Sequence, residues 1–207
     1  TRALAAVATG DPVYRQQLEP GAILTRVAKS HIRIGTVQFF AMTRQGAGLN
    51  ALVTYVTERH YLGALEKARQ LAPEATHAQV LLNEVTRALA SLVAHWQALG
   101  FIHGVLNTDN MLLCGETVDY GPCAFMDTFA AGQVFSSIDT GGRYAFGNQP
   151  GIVHWNLSVL AQCLLPLLNE DQDKALALAQ DSVDQFPTLF TEIYSARLAA
   201  KFGLDAM

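Results

Sequence analysis

FIHGVLNTDNMLLCGETVDYGPCAFMD, residues 101–127, decides how the chain is read. His103-Gly104 follows a long helical pattern and enters a loop, and Asp109-Asn110 sets a carboxylate beside a carboxamide. Nine residues beyond Asn110 comes Asp119, followed by Tyr120-Gly121. An Asn and an Asp brought together across a short hairpin are oxygen ligands suited to Mg²⁺, which takes few protein oxygens and completes its shell with phosphate and water. A third carboxylate beside them can accept a proton from an attacking hydroxyl. These are the parts that phosphoryl or nucleotidyl transfer needs.

Upstream of this loop, residues 75–99 read as the clearest helix. Leu81, Val85, Leu89, Leu92, Val93, Trp96 and Leu99 fall at steps of three and four, Pro73 precedes them and Gly100 stops the pattern. Residues 49–63, with Leu52, Val53, Val56 and Tyr61, suit another helix. Nearer the start, 3–9 and 22–28 read as short strands divided by the Gly10-Asp11-Pro12 and Glu19-Pro20-Gly21 turns. The alternation of Ile32, Ile34, Val37 and Phe39 predicts an extended segment over 31–40. Downstream, the loop-rich centre 101–151 holds candidate strands around 111–114 and 124–126. Helices are predicted over 152–168, 172–183 and 188–202, the last ended by Gly203. The class is α+β and predominantly helical, with Trp96, Trp155 and the phenylalanines expected in the core.

Composition narrows the alternatives. Half of the 207 residues are apolar and 15% are charged, against roughly 25% charged in an average globular chain. Disorder, a coiled coil and a nucleic-acid-coating protein are excluded. Residues 1–100 carry ten Lys/Arg against six Asp/Glu, and 101–207 carry four against twelve. That division suits either two differently solvated surfaces or a phosphate-facing half meeting a metal-facing half. Cys114, Cys123 and Cys163 form no C-x-x-C pair and leave an odd thiol, which suggests a reducing compartment. Residues 88–108 and 144–169 lack formal charge, but His95, Gln97, His103 and Asn107 in the first, and Asn148, Gln149, Asn156 and two prolines in the second, mark buried segments of a soluble protein rather than membrane spans. The chain starts at Thr1, without methionine, and runs straight into an apolar stretch, as a piece of something longer would.

The protein-kinase catalytic loop runs His, then Asp two residues on and Asn seven residues on, followed by D-F-G or D-Y-G. His103, Asn110 and Asp119-Tyr120-Gly121 fit it, while Val105 stands where the catalytic Asp belongs. Valine takes up no proton, and Asp109 is the only nearby carboxylate able to replace it. With that departure, HGVLNTDNM, VDYGP, FMD, GRYAFGNQP and WNL resemble the selenoprotein O (YdiU) family of kinase-like proteins. TRALAAVATGDPVYR, PGAILTRVAKSHIRIGT and VTERHY extend the resemblance over nearly the whole chain.

The resemblance implies a protein-kinase-like fold, with 1–45 as the end of the N-lobe strands and hinge-side segment and 46–207 as the helical C-lobe. It implies ATP bound in a flipped orientation and AMP transferred to Ser, Thr or Tyr hydroxyls of other proteins, in the bacterial cytoplasm or, in a eukaryote, in mitochondria. Neither nucleic acid nor membrane is an expected partner. By the same resemblance, Asp109 would accept the proton, Asn110 and Asp119 would hold Mg²⁺ or Mn²⁺, and Arg26 and Arg33, with Asp119, would bind the nucleotide. Arginine suits a triphosphate because its planar fork bonds phosphate oxygens bidentately.

The family's Gly-rich segment, Lys and helix Glu have no match in these residues, since Lys29 and Lys67 lie in other contexts. The redox motif of the family's C-terminal region is also unmatched, and Gly147 stands where relatives have Asp. The 207 residues alone are therefore expected to transfer nothing. Taken singly, Asp109, Asn110 and Asp119 also suit turn capping. His103 reads as ordering its loop through a backbone hydrogen bond, and Arg143, Asn148 and Asp127 read as structural. A conventional phosphotransferase and a non-catalytic nucleotide-binding pseudokinase scaffold are the rival functions.

Overall fold

The computed structural model describes residues 1–14 and 17–204. Arg15, which ends the family-like opening, and the last three residues of the 46–207 segment lie outside them. The described chain divides into two units, Thr1–His31 and Ile32–Met207.

The first unit is a ribbon. Alternating apolar and small residues pair Arg2–Tyr14 (β1) with Leu18–Val27 (β2) in antiparallel register, from Arg2 opposite Val27 to Tyr14 opposite Leu18. Gly10-Asp11-Pro12, expected as a turn, lies inside β1, where the register shifts between Ala8 and Pro12 and Gly10 takes φ 83°. Pro12 stands opposite Pro20, so two residues without an N–H share one rung. Of the described residues of these two strands only Gly21 is buried.

In the second unit the chain forms Ile34–Met42 (α1), Gly46–Leu71 (α2), His77–Leu99 (α3), Phe101–Ile102 (β3), Ala124–Phe125 (β4), Gln149–Leu168 (α4), Gln172–Val183 (α5) and Gln185–Lys201 (α6). The expected extended segment over 31–40 is corrected here, because the chain is helical from Ile34. Ile34 and Val37, three apart, are fully buried, whereas Phe39, which the alternation placed with Val37, is exposed. The helix start is fixed by the Arg33 N–H donating to Thr36 Oγ1 at 3.2 Å and the Ile34 N–H donating to the Met111 carbonyl at 3.0 Å. The predicted second helix is longer than 49–63. It leaves helical geometry at Tyr61 and resumes, and there the Tyr61 hydroxyl donates to the Leu113 carbonyl.

The central helix is α3, packed by α2, α4, α5 and α6. Thr76 caps it by accepting the Gln79 N–H at 3.1 Å, and Gly100, at φ 71°, ends it in the left-handed conformation. Its Leu81, Val85, Leu89 and Val93 are buried with Leu157, Leu160 and Leu164 of α4 and Val53 and Val56 of α2. Each such side chain contributes about 1.5–3 kcal/mol on burial. The stretch Phe146–Leu168, which includes α4, is the one helical segment among the described residues long and apolar enough to cross a membrane. Here α1, α3 and α5 pack against it. Two core expectations need correction. Trp155, next to the buried Asn156, faces outward half exposed on α4, and among the phenylalanines Phe39, Phe125, Phe129, Phe135 and Phe202 are exposed.

The central segment has little regular structure. Phe101 pairs with Phe125 and Ile102 with Ala124, so the expected strand near 124 finds its partner at the end of α3. Around 111–114 only isolated bridges form, Arg33 with Leu112 and Met111 with Thr117. Gly115 makes the tight return between them at φ 71°, and a Cβ there would come within 2.8 Å of the Ala88 Cβ. Gly115→Ala should therefore destabilise the chain by about 2 kcal/mol, combining left-handed strain with overpacking. Gly63→Ala, in open space on α2, should be neutral or stabilising by up to about 1 kcal/mol. Urea unfolding of the two variants checks the contrast.

Candidate functional site

Residues 103–111 follow β3 as irregular backbone, so their polar groups need partners from side chains. The fully buried Gln149, at the start of α4, serves one of them and the Phe101 carbonyl before them. Its Oε1 accepts the His103 N–H at 2.9 Å and its Nε2 donates to the Phe101 carbonyl at 2.9 Å. From the same helix, Asn156 Nδ2 donates to the Leu106 carbonyl at 2.8 Å.

His103 is also fully buried. Its Nε2 lies 2.8 Å from the Val118 carbonyl and its Nδ1 faces the Val105 N–H at 3.5 Å. The carbonyl can only accept, so Nε2 carries the proton and Nδ1 is the acceptor. Burial lowers the His103 pKa. The Val118 bond and the Asp119 charge oppose that effect without overcoming it. A neutral imidazole therefore ties the 103–110 loop to the backbone just before Asp119, the ordering role expected for it.

Asn107 Oδ1 accepts the Asp109 N–H at 3.1 Å, opening a single 3₁₀ turn over Thr108–Asn110. The chain then runs through Met111–Leu113, returns at Gly115 and pairs again at Thr117. Asp109 and Asn110 thus enter this hairpin and Asp119 leaves it. Asn110 is buried, and its Nδ2 donates to the Val105 carbonyl at 2.9 Å, which leaves Oδ1 as the amide's remaining acceptor. Asp119 is exposed and takes φ 61°, a conformation uncommon outside glycine that Asp tolerates better than most. Among the described residues no three His, Cys, Asp or Glu side chains converge on a point. An amide oxygen and a carboxylate are donors of the type Mg²⁺ takes, with its other oxygens drawn from phosphate and water.

Arg33 is brought onto this loop by its bridge to Leu112. Its Nη1 donates to the Asp109 carbonyl at 3.3 Å and lies 4.0 Å from Asp109 Oδ1. Both side chains are about half exposed, at 46% and 63%. Asp109 also stands against the first turn of α1, the end of a helix that attracts negative charge. Arg26 belongs to the ribbon unit, opposite Ala3 in β2, so the two arginines are carried by different units. Val105, where a kinase has its catalytic Asp, is half-buried, and its backbone serves His103 and Asn110.

Of the residues read as structural, Arg143 and Asn148 have structural contacts. Asp139 Oδ1 accepts the Arg143 N–H at 2.8 Å, and the Arg143 guanidinium lies 4.9 Å from the centre of the Trp155 ring. Asn148 Nδ2 donates to the Gly142 carbonyl at 2.8 Å. The Gly147 N–H donates to the Ala131 carbonyl at 2.8 Å, and a Cβ on Gly147 would come to 3.2 Å from that oxygen. Gln149, Asn156, Gln38 and Gly35 were not singled out as site residues. The available signal was an uncharged amide at an apolar helix position, as at Gln149 and Asn156.

Comparison with known proteins supplies a family. Residues 1–207 match the family described as protein adenylyltransferase SelO. The chain is 54% identical over 204 residues to a protein nucleotidyltransferase YdiU of Rhodopseudomonas palustris (strain BisB18), covering 99% of this chain and 40% of that protein. It is 53% identical to the protein of the same name in Bradyrhizobium diazoefficiens and 49% identical to that in Bacillus mycoides, again over 99% of this chain and 40% of each relative. The chain therefore spans about two fifths of the length of these relatives.

The lowered His103 pKa has a pH signature. The unfolded chain takes up a proton near the ordinary histidine pKa of about 6.5, before the folded chain does. Stability from neutral His103 is thus fully present above that value and is lost as pH falls through the lowered one. In urea unfolding from pH 8 to pH 5, His103→Asn should be less stable at pH 8 and should fall less steeply than the parent sequence below pH 6.5.

Proposed function

The chain belongs to the protein adenylyltransferase SelO family, and on that premise we propose that it carries the transfer site of an ATP-dependent protein adenylyltransferase. The proposed enzyme is of pseudokinase type, with a kinase-like fold, and moves AMP to Ser, Thr or Tyr hydroxyls of other proteins. The observation that supports this reading is the hairpin that Asp109 and Asn110 enter and Asp119 leaves, with Arg33 seated on Asp109.

Arg33 holds the triphosphate in this reading. Only Nη1 of Arg33 is engaged with Asp109, so its other N–H groups suit phosphate oxygens. Asn110 and Asp119 hold a divalent cation, Mg²⁺ or Mn²⁺, which when bound offsets phosphate charge. With ATP flipped, the α-phosphate faces Asp109. The acceptor hydroxyl oxygen bonds to the α-phosphorus and its proton passes to the Asp109 carboxylate. The bond from the α-phosphorus to the oxygen bridging the β-phosphate breaks, and pyrophosphate leaves. Val105 offers no proton acceptor, which is why Asp109 takes that part.

A full-length protein carrying this chain, given ATP labelled at the α- or the γ-phosphate, tests the reading. The expected result is protein label from the α-position alone, lost by about 10²-fold or more in Asp109→Ala with ATP binding largely intact. Label from the γ-position would make the protein a phosphotransferase. No label from either position, with ATP still bound, would make it a scaffold. Asp119→Ala should abolish metal-dependent ATP binding, measured by titration calorimetry. Equal loss of ATP affinity in the two variants would overturn the division of roles.

A further inference from the structure

We propose that Gly35 is a positioning residue for the transfer step, because the space that its side chain would fill is the seat of the Asp109 carboxylate. The inference rests on the reading of Asp109 as proton acceptor. Gly35 is the second residue of α1 and does not take a positive φ. Its backbone therefore has no need of glycine, and glycine within a helix costs stability relative to alanine. Space supplies the need. A Cβ built on Gly35 would overlap Asp109 Oδ1 and lie 3.0 Å from Asp109 Cγ and 3.5 Å from Asp109 Cα.

Neither backbone is free to retreat. The start of α1 is tied to the hairpin by the Ile34 N–H to the Met111 carbonyl at 3.0 Å, and the Leu113 N–H donates to the Ile32 carbonyl at 3.0 Å. On the opposite side, Asn107 Oδ1 accepts the Asp109 N–H and Arg33 Nη1 donates to the Asp109 carbonyl. The Thr108 hydroxyl reaches Gln38 Oε1 of α1 at 2.9 Å. A methyl group at position 35 is thus accommodated by rotation of the Asp109 side chain away from its present seat.

The test compares Gly35→Ala, Asp109→Ala and the double variant in a full-length protein carrying this chain. It measures AMP transfer from α-labelled ATP, KM for ATP and melting temperature. Gly35→Ala should lower kcat at least about tenfold, as a misplaced reacting group does. KM for ATP should stay within about twofold, with the melting temperature unchanged or raised. The double variant should be no slower than Asp109→Ala alone. A drop in melting temperature that Asp109→Ala restores would also support the overlap, while a drop that it leaves in place would overturn it. Unchanged kcat in Gly35→Ala, with Asp109→Ala inactive, would overturn this inference and leave the role of Asp109 standing. Wild-type transfer by Asp109→Ala would overturn that role, and this inference with it.

Discussion

A buried, uncharged imidazole governs the arrangement of everything around the site. His103 has no exposure to water, and its two nitrogens join the segment that leads to Asn110 and the segment that leads to Asp119. A polar ring in that position costs stability unless both nitrogens are satisfied. Satisfying both fixes two irregular segments relative to each other. Gln149 extends the same logic by closing the His103 N–H and the Phe101 carbonyl with one amide. The loop thereby gains order that its backbone alone does not supply, and α4 becomes the wall on which it is mounted.

How legible this was in the sequence depends on how far apart the interacting residues lie. The α3 helix was readable because its apolar period, the preceding Pro73 and the terminal glycine are all local in the sequence. The hairpin between Asn110 and Asp119 was readable for the same reason. The segment 31–40 was misread because four apolar residues fit either a helical or an alternating period, and the deciding contact, Ile34 to Met111, lies far along the chain. Gln149 and Asn156 stood out as polar groups in a charge-free stretch, yet their partners are 46 to 50 residues away. Gly35 gave no signal, since an absent side chain acquires meaning only when its neighbour is known. Trp155 was misplaced because hydrophobicity does not say which side of a helix a ring occupies.

The uneven charge of the two halves takes a local form at Arg33 and Asp109. A cation from the first half meets a carboxylate of the second across 4.0 Å, with both side chains substantially in water. An exposed pair of this kind contributes little to folding, about 0–1 kcal/mol. Its importance is geometric. The guanidinium approaches a main-chain oxygen and a carboxylate of the same residue, so it constrains where Asp109 stands more than it stabilises the chain.

The ribbon of β1 and β2 differs from the helical unit in one further respect. Of its described strand residues only Gly21 is buried, while Leu4, Val7, Ile23 and Leu24 are exposed. A two-stranded hairpin without a covered face is marginally stable in water. Amide hydrogens along β1 and β2 should therefore exchange with solvent through local opening of the ribbon, orders of magnitude faster than those of α3, whose release requires opening of the helical core. The chain should accordingly show two tiers of protection with the break near Ile32, and Arg26 and Arg33 fall on opposite sides of it.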